Sequence, residues 1–387
     1  MTEKLFYRDS HMTTFSACVM QCEQSGDYYE VVLDRTAFFP TGGGQSADTG
    51  MLGNVKVLDV KEKQDEVYHI VDGPLQVGDT VEGVLDWEER FSKMQQHSGE
   101  HIVSGIVHQM FGYDNVGFHM GTDAITMDFN GVITPSQLKE IEQKANQVVV
   151  KNVAILDHYP AKEELKEIAY RSKIEIEGQV RLIEIPEVDT CACCAPHVKK
   201  TGEIGLIKLT NVQNYKGGVR VSMLCGFRAL LDYNEKAESV RNLSMMLSAK
   251  ESEVVGEVAR LQEDLNDKKQ TIARLQKEIL VRKVEALSEI ETCMVLFEEE
   301  LDGNGPRELM NLLLEKGAQI GAVFAGTKET GFRYVIGSKE LDVRPFAKVL
   351  NTAFNGRGGG KPEMVQGSLS GNEEAIREEV LRCSQNV

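Results

Sequence analysis

Two short motifs that lie far apart constrain the fold of this 387-residue chain more than any other feature. The first, HSGEH, places His97 and His101 four residues apart, and the second, CCAPH, gives Cys193 and His197 the same spacing. Two side chains four residues apart on a helix share a face, and zinc accepts nitrogen and thiolate ligands together. The sequence therefore predicts that both segments fold together around one zinc ion.

Charge and cysteine content exclude several classes of protein. There are 60 acidic residues against 43 Lys and Arg, so the net charge is −17 and the chain repels polyanions at long range. A nucleic acid would have to bind local basic patches. No long apolar run or secretory leader is evident, which predicts a cytoplasmic protein without a membrane segment. In that compartment the eight cysteines are thiols or metal ligands rather than disulfides.

The distribution of apolar residues and glycine predicts a mixed α+β protein. Short β-rich runs separated by glycine predict a β-barrel, and helical spacing of apolar residues begins at Trp87. Strands and helices then alternate, and one of these strands is predicted over 174–185. The four predicted parts are a β-barrel domain at 1–90, a zinc-containing α+β domain at 91–231, a long coiled helix at 232–290 and a C-terminal α/β domain at 291–387.

A heptad-like seam marks the third part. Its apolar positions are Val254, Val258, Leu261, Leu265, Ile272, Leu275 and Ile279, with Lys268 as a polar interruption. Spacings that alternate between four and three residues are typical of a coiled coil, which predicts a homodimer through this helix. The alternative is a helix that packs on its own domain.

A glycine-rich segment over 36–50, TAFFPTGGGQSADTG, is a second candidate site. Gly43 and Gly44 carry no side chain, so backbone amides there can approach a ligand closely, and Thr41 and Gln45 offer neutral hydrogen-bonding groups beside them. The alternative is a structural turn between strands.

Four motifs in this order resemble the editing domain of alanyl-tRNA synthetases and the free-standing AlaX proteins that share it. The motifs are TAFFPTGGGQSADTG, HSGEH, CCAPHVKKTGEIG and KGGVRVSMLCG. The later part of the chain resembles the C-terminal region of the same synthetases, a coiled helix followed by a DHH-associated domain with a glycine-rich loop, here GRGGGKPEMVQGS. The chain thus resembles a long-form AlaX trans-editing protein.

The resemblance implies both a reaction and its residues. The reaction is hydrolysis of the ester that joins serine or glycine to alanine tRNA, which is needed because a pocket shaped for alanine discriminates poorly against both amino acids. The implied zinc ligands are His97, His101, Cys193 and His197. In the family, Cys-Gly-Gly-Thr-His usually stands where this chain has CCAPH. The catalytic candidates are Thr41, as reader of the serine hydroxyl, with Gln45, Gly43 and Gly44.

Basic residues close in sequence to the zinc ligands, and others in the C-terminal loop, are candidates for binding the tRNA. They are Lys199, Lys200, Lys208, Lys216 and Arg220, and in the loop Arg357 and Lys361. The loop is not a Walker P-loop, because Asn355 and Pro362 replace a required glycine and the magnesium-binding Ser or Thr.

Two other functions compete with the enzyme. One is a noncatalytic tRNA-binding protein with a structural zinc site, because four protein ligands usually close such a site. The other is a zinc peptidase, which the motif disfavours because Glu100 precedes the second histidine instead of following the first. The role of zinc stays open between activating a water and positioning the substrate.

Overall fold

The computed structural model describes residues 1–121, 124–172, 179–301 and 303–385. The chain divides into two compact units, residues 1–242 and 243–387. Both contain helices and sheets, which confirms the mixed α+β class. The finer division into four parts stays a prediction. Among the described residues, no helix combines the length and apolar character needed to cross a bilayer.

The first unit begins with a closed barrel. Its strands, with the short parallel pair β1–β4 beside them, are β1 (Glu3–Lys4), β2 (Thr14–Ser25), β3 (Tyr28–Leu33), β4 (Arg35–Thr36), β5 (Gly50–Leu52), β6 (Val55–Lys63), β7 (Glu66–Val71) and β8 (Thr80–Leu85). The barrel order is β2-β3-β7-β6-β5-β8, and it closes because β8 pairs with both β2 and β5. In β8 buried and exposed residues alternate strictly, as a strand with one face on a core requires. The glycine-separated pattern identified the later strands but not β2.

The rest of the first unit packs two helices on a sheet. Its elements are α1 (Trp87–Phe111), β9 (Asn115–Met120), β10 (Ile125–Phe129), α2 (Pro135–Lys151), β11 (Leu156–His158), β12 (Leu182–Ile185), β13 (Asp189–Ala192), β14 (Ile207–Tyr215) and β15 (Gly218–Cys225). The sheets have the orders β14-β15-β10-β9 and β11-β12-β13. Of the strand predicted over 174–185, only residues 182–185 form a strand, and 174–178 lie outside the described residues.

Helix α1 positions the centre of this unit. Asp86 caps its start by accepting a hydrogen bond from the Glu89 amide, and Gly112, with φ 68°, ends it in the left-handed conformation. Between these caps, residues 93–107 are all buried, polar ones included. The helix therefore runs through the interior and carries the candidate ligands His97 and His101.

The helix predicted over 232–290 is interrupted. α3 (Gly226–Leu247) starts earlier than predicted, and α4 (Val254–Glu285) follows after a break. Ser248 at the break has φ 51°, and the Ala249 amide donates to the Ser244 carbonyl, which closes the end of α3. Neither glycine nor proline marks this stop, so the sequence offered no signal for it.

The second unit ends in a mixed five-stranded sheet with helices. Its elements after α4 are β16 (Cys293–Glu298), α5 (Gly305–Lys316), β17 (Ile320–Thr327), β18 (Gly331–Ser338), α6 (Arg344–Ala353), β19 (Arg357–Lys361), β20 (Met364–Leu369) and α7 (Glu373–Ser384). The sheet order is β16-β17-β18-β20-β19, with only β16–β17 parallel among these pairs.

The glycine-rich loop predicted in this unit is instead the edge hairpin β19–β20. A side chain at Gly358 would lie 2.6 Å from the Tyr334 hydroxyl, and one at Gly360 would lie 2.2 Å from the Met364 carbonyl oxygen. The glycines are therefore needed for close strand packing.

Candidate metal centre

Four side chains from two distant segments meet inside the first unit. The ligand atoms of His97, His101, Cys193 and His197 all lie within 4.8 Å of one another. Helix α1 supplies the first two, one turn apart, and the segment after β13 supplies the others. The structure thus brings together the four residues that the resemblance implies as ligands.

The spacing of these atoms fits a tetrahedral ion. Cys193 Sγ lies 3.4 Å from His97 Nε2 and 3.5 Å from His197 Nε2. A nitrogen about 2.1 Å and a sulfur about 2.3 Å from a tetrahedral zinc ion are themselves about 3.6 Å apart, close to both distances. Three imidazoles and a thiolate are also a donor set that zinc accepts. The residues therefore fit the predicted cofactor.

Each imidazole of the cluster is held through its Nδ1 atom by a polar partner. Two of the contacts are hydrogen bonds, between His97 and Gln45 Oε1 at 3.2 Å and between His197 and Ser98 Oγ at 3.0 Å, and the third is an ion-pair contact between His101 and Asp189 Oδ2 at 3.2 Å. A hydrogen donated from Nδ1 leaves Nε2 with a free lone pair, and such partners orient ligating histidines and raise their basicity. The fold therefore favours the tautomer that metal binding requires.

Asp189, which holds His101, is itself locked by an arginine. Arg171 donates from Nε and Nη2 to the two carboxylate oxygens at 2.7 and 2.8 Å. Burial alone would raise the pKa of Asp189, but hydrogen bonds from His101 and Arg171 lower it overall. His101, Asp189 and Cys191 form a second group at ligand spacing. Because both oxygens of Asp189 already accept from Arg171, we interpret this group as support for His101.

Burial lowers the pKa of one histidine and raises the pKa of the cysteine in this cluster, so it favours the neutral form of both. It lowers the pKa of His197, and the neighbouring His101 and His97 lower it further, so this imidazole stays neutral. Although Cys193 as a whole is partly exposed, burial of its thiol raises its pKa, with Cys194 adding to the effect. A bound cation would favour the thiolate of Cys193 over the thiol, because the thiolate is the form that binds metal. Metal binding should therefore release a proton.

The triple glycine forms a tight turn against the cluster. The amides of Gly42 and Gln45 each donate to the other residue's carbonyl at 3.0 Å, and Gly43 and Gly44 between them have φ 59° and 81°. Two central residues with positive φ define a type I′ turn. A Cβ at Gly43 would lie 4.0 Å from His97 Cε1 and 3.1 Å from Cys194 Sγ. The side-chain-free turn is therefore adjacent to a ligand.

Helix α1 also holds the segments on either side of this turn. Arg90, which is 1% exposed, donates to the Ala37 carbonyl at 3.2 Å and forms an ion pair with the buried Asp48. Asp48 in turn accepts from the Phe39 amide at 2.7 Å, and Lys93 donates to the Ala47 carbonyl. Arg90 and Lys93 precede His97 on the same helix. The two candidate ligands on α1 and the segments beside the glycine turn are thus fixed to the same helix.

Thr41 and Gln45 flank the turn with different exposure. Thr41 is exposed, and its Oγ1 accepts from the Ala47 amide at 3.1 Å, which leaves its hydroxyl hydrogen outside that bond. Gln45 is 1% exposed, and its Nε2 has no hydrogen-bond partner among the described residues. A buried amide without a hydrogen bond costs about 1–3 kcal/mol of stability. A substrate oxygen that accepted from Gln45 Nε2 would remove this cost, so the amide is a candidate contact for the substrate.

The ligand segment is held by apolar contacts and one arginine. Ala195 is fully buried against Phe6 and Phe39, and Arg181 donates to the carbonyls of Cys193 and Ala195 at 3.2 and 2.8 Å. Packing and two hydrogen bonds therefore fix the backbone of the CCAPH segment, which contains no glycine.

Glu100 does not occupy the position of a peptidase base. It is 1% exposed, and its Oε1 accepts from Ser104 at 2.6 Å and from Asn115 at 2.7 Å. Its Oε2 lies 3.9 Å from His101 Nε2. The carboxylate thus belongs to a buried polar network that supports α1.

The basic residues near the ligands are mostly paired with acids. Lys199 lies 2.8 Å from Asp9, and Lys208 lies 2.8 Å from Glu142, whereas Lys200 is exposed. These residues lie on the surface, where such pairs contribute little to stability and phosphate can compete with the acid.

The β14–β15 hairpin carries the next two candidates. Arg220 donates to both oxygens of Asp128 at 2.6 and 2.8 Å and lies 3.9 Å above the Tyr215 ring. Lys216 lies 5.1 Å from the same ring. In the second unit, Arg357 and Lys361 are exposed at the two ends of β19. The predicted tRNA contacts thus include residues of both units.

Sequence reasoning missed the partners of the ligands. Ser98 lies within the HSGEH motif and was available as a signal, but nothing in the sequence distinguishes Asp189, Arg171 or the buried pair of Arg90 and Asp48 from other charged residues. Their roles depend on contacts between segments that are far apart in the chain.

Two protein-family models match parts of the first unit. Residues 3–89 match the model described as tRNA synthetases class II (A), and residues 180–222 match the Threonyl and Alanyl tRNA synthetase second additional domain. The second match includes Cys193 and His197. Together the two matches bracket the histidine motif of α1.

Curated relatives match nearly the whole chain. The Alanyl-tRNA editing protein AlaX-L of Pyrococcus horikoshii is 26% identical over 97% of this chain and 96% of its own length. The alanine–tRNA ligase of Pyrococcus furiosus is 30% identical over 97% of this chain, and that of Archaeoglobus fulgidus is 29% identical over 98%. The chain spans only 42% and 43% of these two ligases. The comparisons confirm the resemblance that the motifs indicate: along nearly its whole length the chain is similar to long-form AlaX editing proteins and to the corresponding region of alanyl-tRNA synthetases.

Proposed function

We propose that the chain is a zinc-dependent deacylase that hydrolyses serine or glycine esters of alanine tRNA in trans. The observation that carries the proposal is the contact between the four-ligand cluster and the side-chain-free turn at Gly43 and Gly44. Similarity to an alanyl-tRNA editing protein over nearly the full length supports the substrate class.

The reaction consumes one water. Its oxygen bonds to the ester carbonyl carbon, the bond from that carbon to the ribose oxygen breaks, and a proton passes from the water to the ribose oxygen. Zinc, when bound by the four ligands, supplies positive charge that positions the substrate or polarises its oxygen. The chain's own residues orient the ester and the water.

Three groups at the turn suit these tasks. Gln45 Nε2 is a buried donor without a partner among the described residues, so it fits the oxygen on which negative charge develops. The amides of Gly43 and Gly44 lie outside the two bonds that close the turn and can orient the water. The Thr41 hydroxyl can donate to a serine hydroxyl while it accepts from Ala47. The contact with Thr41 would distinguish a serine ester from an alanine ester, because alanine has no hydroxyl.

The tRNA would bind through phosphate contacts with Lys199, Lys200, Lys216 and Arg220, and by resemblance with Arg357 and Lys361. We also propose a homodimer through α4. On this helix the seam residues Leu261, Leu265, Ile272, Leu275 and Ile279 are 45–64% exposed. So many exposed large aliphatic side chains on one helix favour a partner helix.

The alternative is a noncatalytic tRNA-binding protein with a structural metal, because four protein ligands fill a tetrahedral site. A deacylation assay on serine-, glycine- and alanine-charged alanine tRNA separates the two. We expect wild type to release serine or glycine much faster than alanine, and Cys193→Ala to abolish the excess. Cys194→Ala is the matched control, because Cys194 is exposed and outside the cluster.

If wild type with bound metal releases no amino acid faster than buffer does, the enzyme proposal is wrong and the binding protein remains. If Cys194→Ala loses activity and Cys193→Ala keeps it, the ligand assignment is wrong.

A further inference from the structure

A small cavity lies directly beside the metal cluster. Its volume is about 110 Å³, and His197 forms part of its wall. The N-terminal turn over 6–10 and residues of β11 and β12 complete the lining. The cavity therefore shares His197 with the candidate centre.

An aromatic ring and a guanidinium dominate the chemistry of this cavity. Tyr7 and Arg181 both line it, with the Arg181 guanidinium 5.2 Å from the centre of the Tyr7 ring. The Arg181 side chain is only 11% exposed, and its Nε has no hydrogen-bond partner among the described residues. The nearest carboxylate oxygen to Nε, on Asp157, is 3.7 Å away, too far for a hydrogen bond.

The cavity also carries positive charge at its rim. Arg8 is exposed and paired with Glu3, and Lys199 is paired with Asp9 at 2.8 Å. These are solvent-exposed pairs, which are weak enough for a phosphate to replace the carboxylate. A flat aromatic wall, a buried guanidinium and exposed cations are the groups that bind a single-stranded nucleotide.

Tyr7 is not required as a core residue in the way its neighbour is. Phe6 is 1% exposed and packs edge-to-face on Phe39, with ring centres 5.4 Å apart. Tyr7 is only partly buried and faces Arg181 and the cavity. Phe6 thus anchors the N-terminal turn, whereas Tyr7 packs on it with ring centres 4.6 Å apart and also lines the cavity.

The distance to the cluster restricts which nucleotide fits. In a charged tRNA the amino acid is esterified to the terminal ribose, so the terminal base lies within one nucleoside of the attacked carbonyl. We propose that this cavity binds the terminal adenosine of the tRNA, with its base on Tyr7 and its phosphate near Arg8 and Lys199. The inference rests on the proposed function because it assumes that tRNA is the partner.

The test compares binding of uncharged alanine tRNA with binding of the same tRNA lacking its terminal adenosine. Wild type should bind the truncated tRNA roughly 5- to 160-fold more weakly, which is the effect of one base stacked on an aromatic side chain. Tyr7→Ala should bind both tRNAs equally, at the wild-type level for the truncated one. Tyr7→Phe keeps the ring and should behave as wild type.

Tyr28→Ala is a matched control, because Tyr28 is a 48% exposed tyrosine on the barrel and should retain the wild-type ratio. If Tyr7→Ala fails to fold or to hold zinc, Tyr7→Leu replaces it, since leucine keeps apolar contact with Phe6 without an aromatic face. The ratio of the two affinities cancels any general loss of protein quality.

The inference is overturned if wild type binds both tRNAs equally, or if Tyr7→Ala loses as much affinity as wild type on truncation. Either result together with active deacylation would refute the adenosine site alone. Failure to bind any tRNA would refute both this site and the proposed function.

Discussion

Alanine substitutions at the three consecutive glycines of the turn should have sharply different effects. Gly42 has no positive φ, and a Cβ there would lie no closer than 3.7 Å to any neighbour. Gly43 is left-handed, with Cys194 Sγ at 3.1 Å from the added Cβ. Gly44 is left-handed, and its Cβ would lie 2.6 Å from Phe118 Cδ1 and 3.2 Å from the Phe118 carbonyl oxygen. We expect the loss of stability to increase from Gly42→Ala through Gly43→Ala to Gly44→Ala.

The magnitudes follow from these distances. Gly42→Ala should be neutral or stabilise by about 0.4–1 kcal/mol, because alanine restricts the unfolded chain. Gly43→Ala should cost about 1–2 kcal/mol for the left-handed backbone, since the Cys194 side chain can move away. Gly44→Ala should cost about 2–5 kcal/mol, because displacing Phe118 adds about 1–3 kcal/mol of overpacking.

Gly44→Ala should also disturb the metal centre. The Phe118 ring lies 5.0 Å from the His97 ring, centre to centre, so a displaced Phe118 pushes on a predicted ligand. Gly44→Ala should therefore weaken zinc retention under competition with a chelator, whereas Gly42→Ala should not.

Urea unfolding followed by tryptophan fluorescence measures the stabilities. Trp87 is the only tryptophan in the chain and begins α1, so its signal reports the first unit. Equal losses for Gly42→Ala and Gly44→Ala would refute the reasoning, because the turn geometry would then not decide the outcome.

Four further predictions address the barrel, the substrate, the helix seam and the metal. Burial lowers the pKa of His69 from 6.5 to about 4, so the contribution of its neutral ring to the stability of the first unit should be complete above pH 6.5 and fall by about 3 kcal/mol toward pH 4. A difference in unfolding free energy between His69→Gln and wild type that stays flat over that range would contradict this prediction. Thr41→Val should slow release of serine more than of glycine, with Thr41→Ser as control, and equal losses would mean that the hydroxyl is not read. Leu265→Glu should shift sedimentation from dimer to monomer at micromolar concentration; a wild-type monomer would exclude the dimer. Chelation should lower the urea midpoint seen through Trp87, and an unchanged midpoint would show that no metal contributes to folding.

The sequence predicted which four residues form the cluster but not which residues contact their imidazole rings. Equal spacing in HSGEH and CCAPH sufficed to associate His97 and His101 with Cys193 and His197, because a helix and a short turn each present residues four apart on one side. The partners on Nδ1 come from elsewhere in the chain, and only tertiary contacts reveal them.

Local patterns explain where the fold was predicted and where it was not. β8 alternates strictly between buried and exposed residues, so its identity as a strand is evident from the sequence. The break between α3 and α4 depends on Ser248 adopting a left-handed conformation, for which serine has no preference. The strand β19 consists mainly of glycines, which are depleted in strands, and only packing against Tyr334 and β20 makes it a strand.

The support of the three imidazoles links the proposed metal binding to several parts of the first unit. Gln45 belongs to the segment after β4, Ser98 to α1 and Asp189 to β13, so the three histidines are oriented by three separate parts of the chain. None of these contacts exists in an unfolded chain, in which each imidazole would exchange between tautomers and rotamers. High metal affinity therefore requires the barrel segment, the helix and the β13 sheet to be assembled first. The same assembly places the glycine turn beside the cluster, so a chain folded well enough to hold the metal tightly also has its proposed catalytic groups in position.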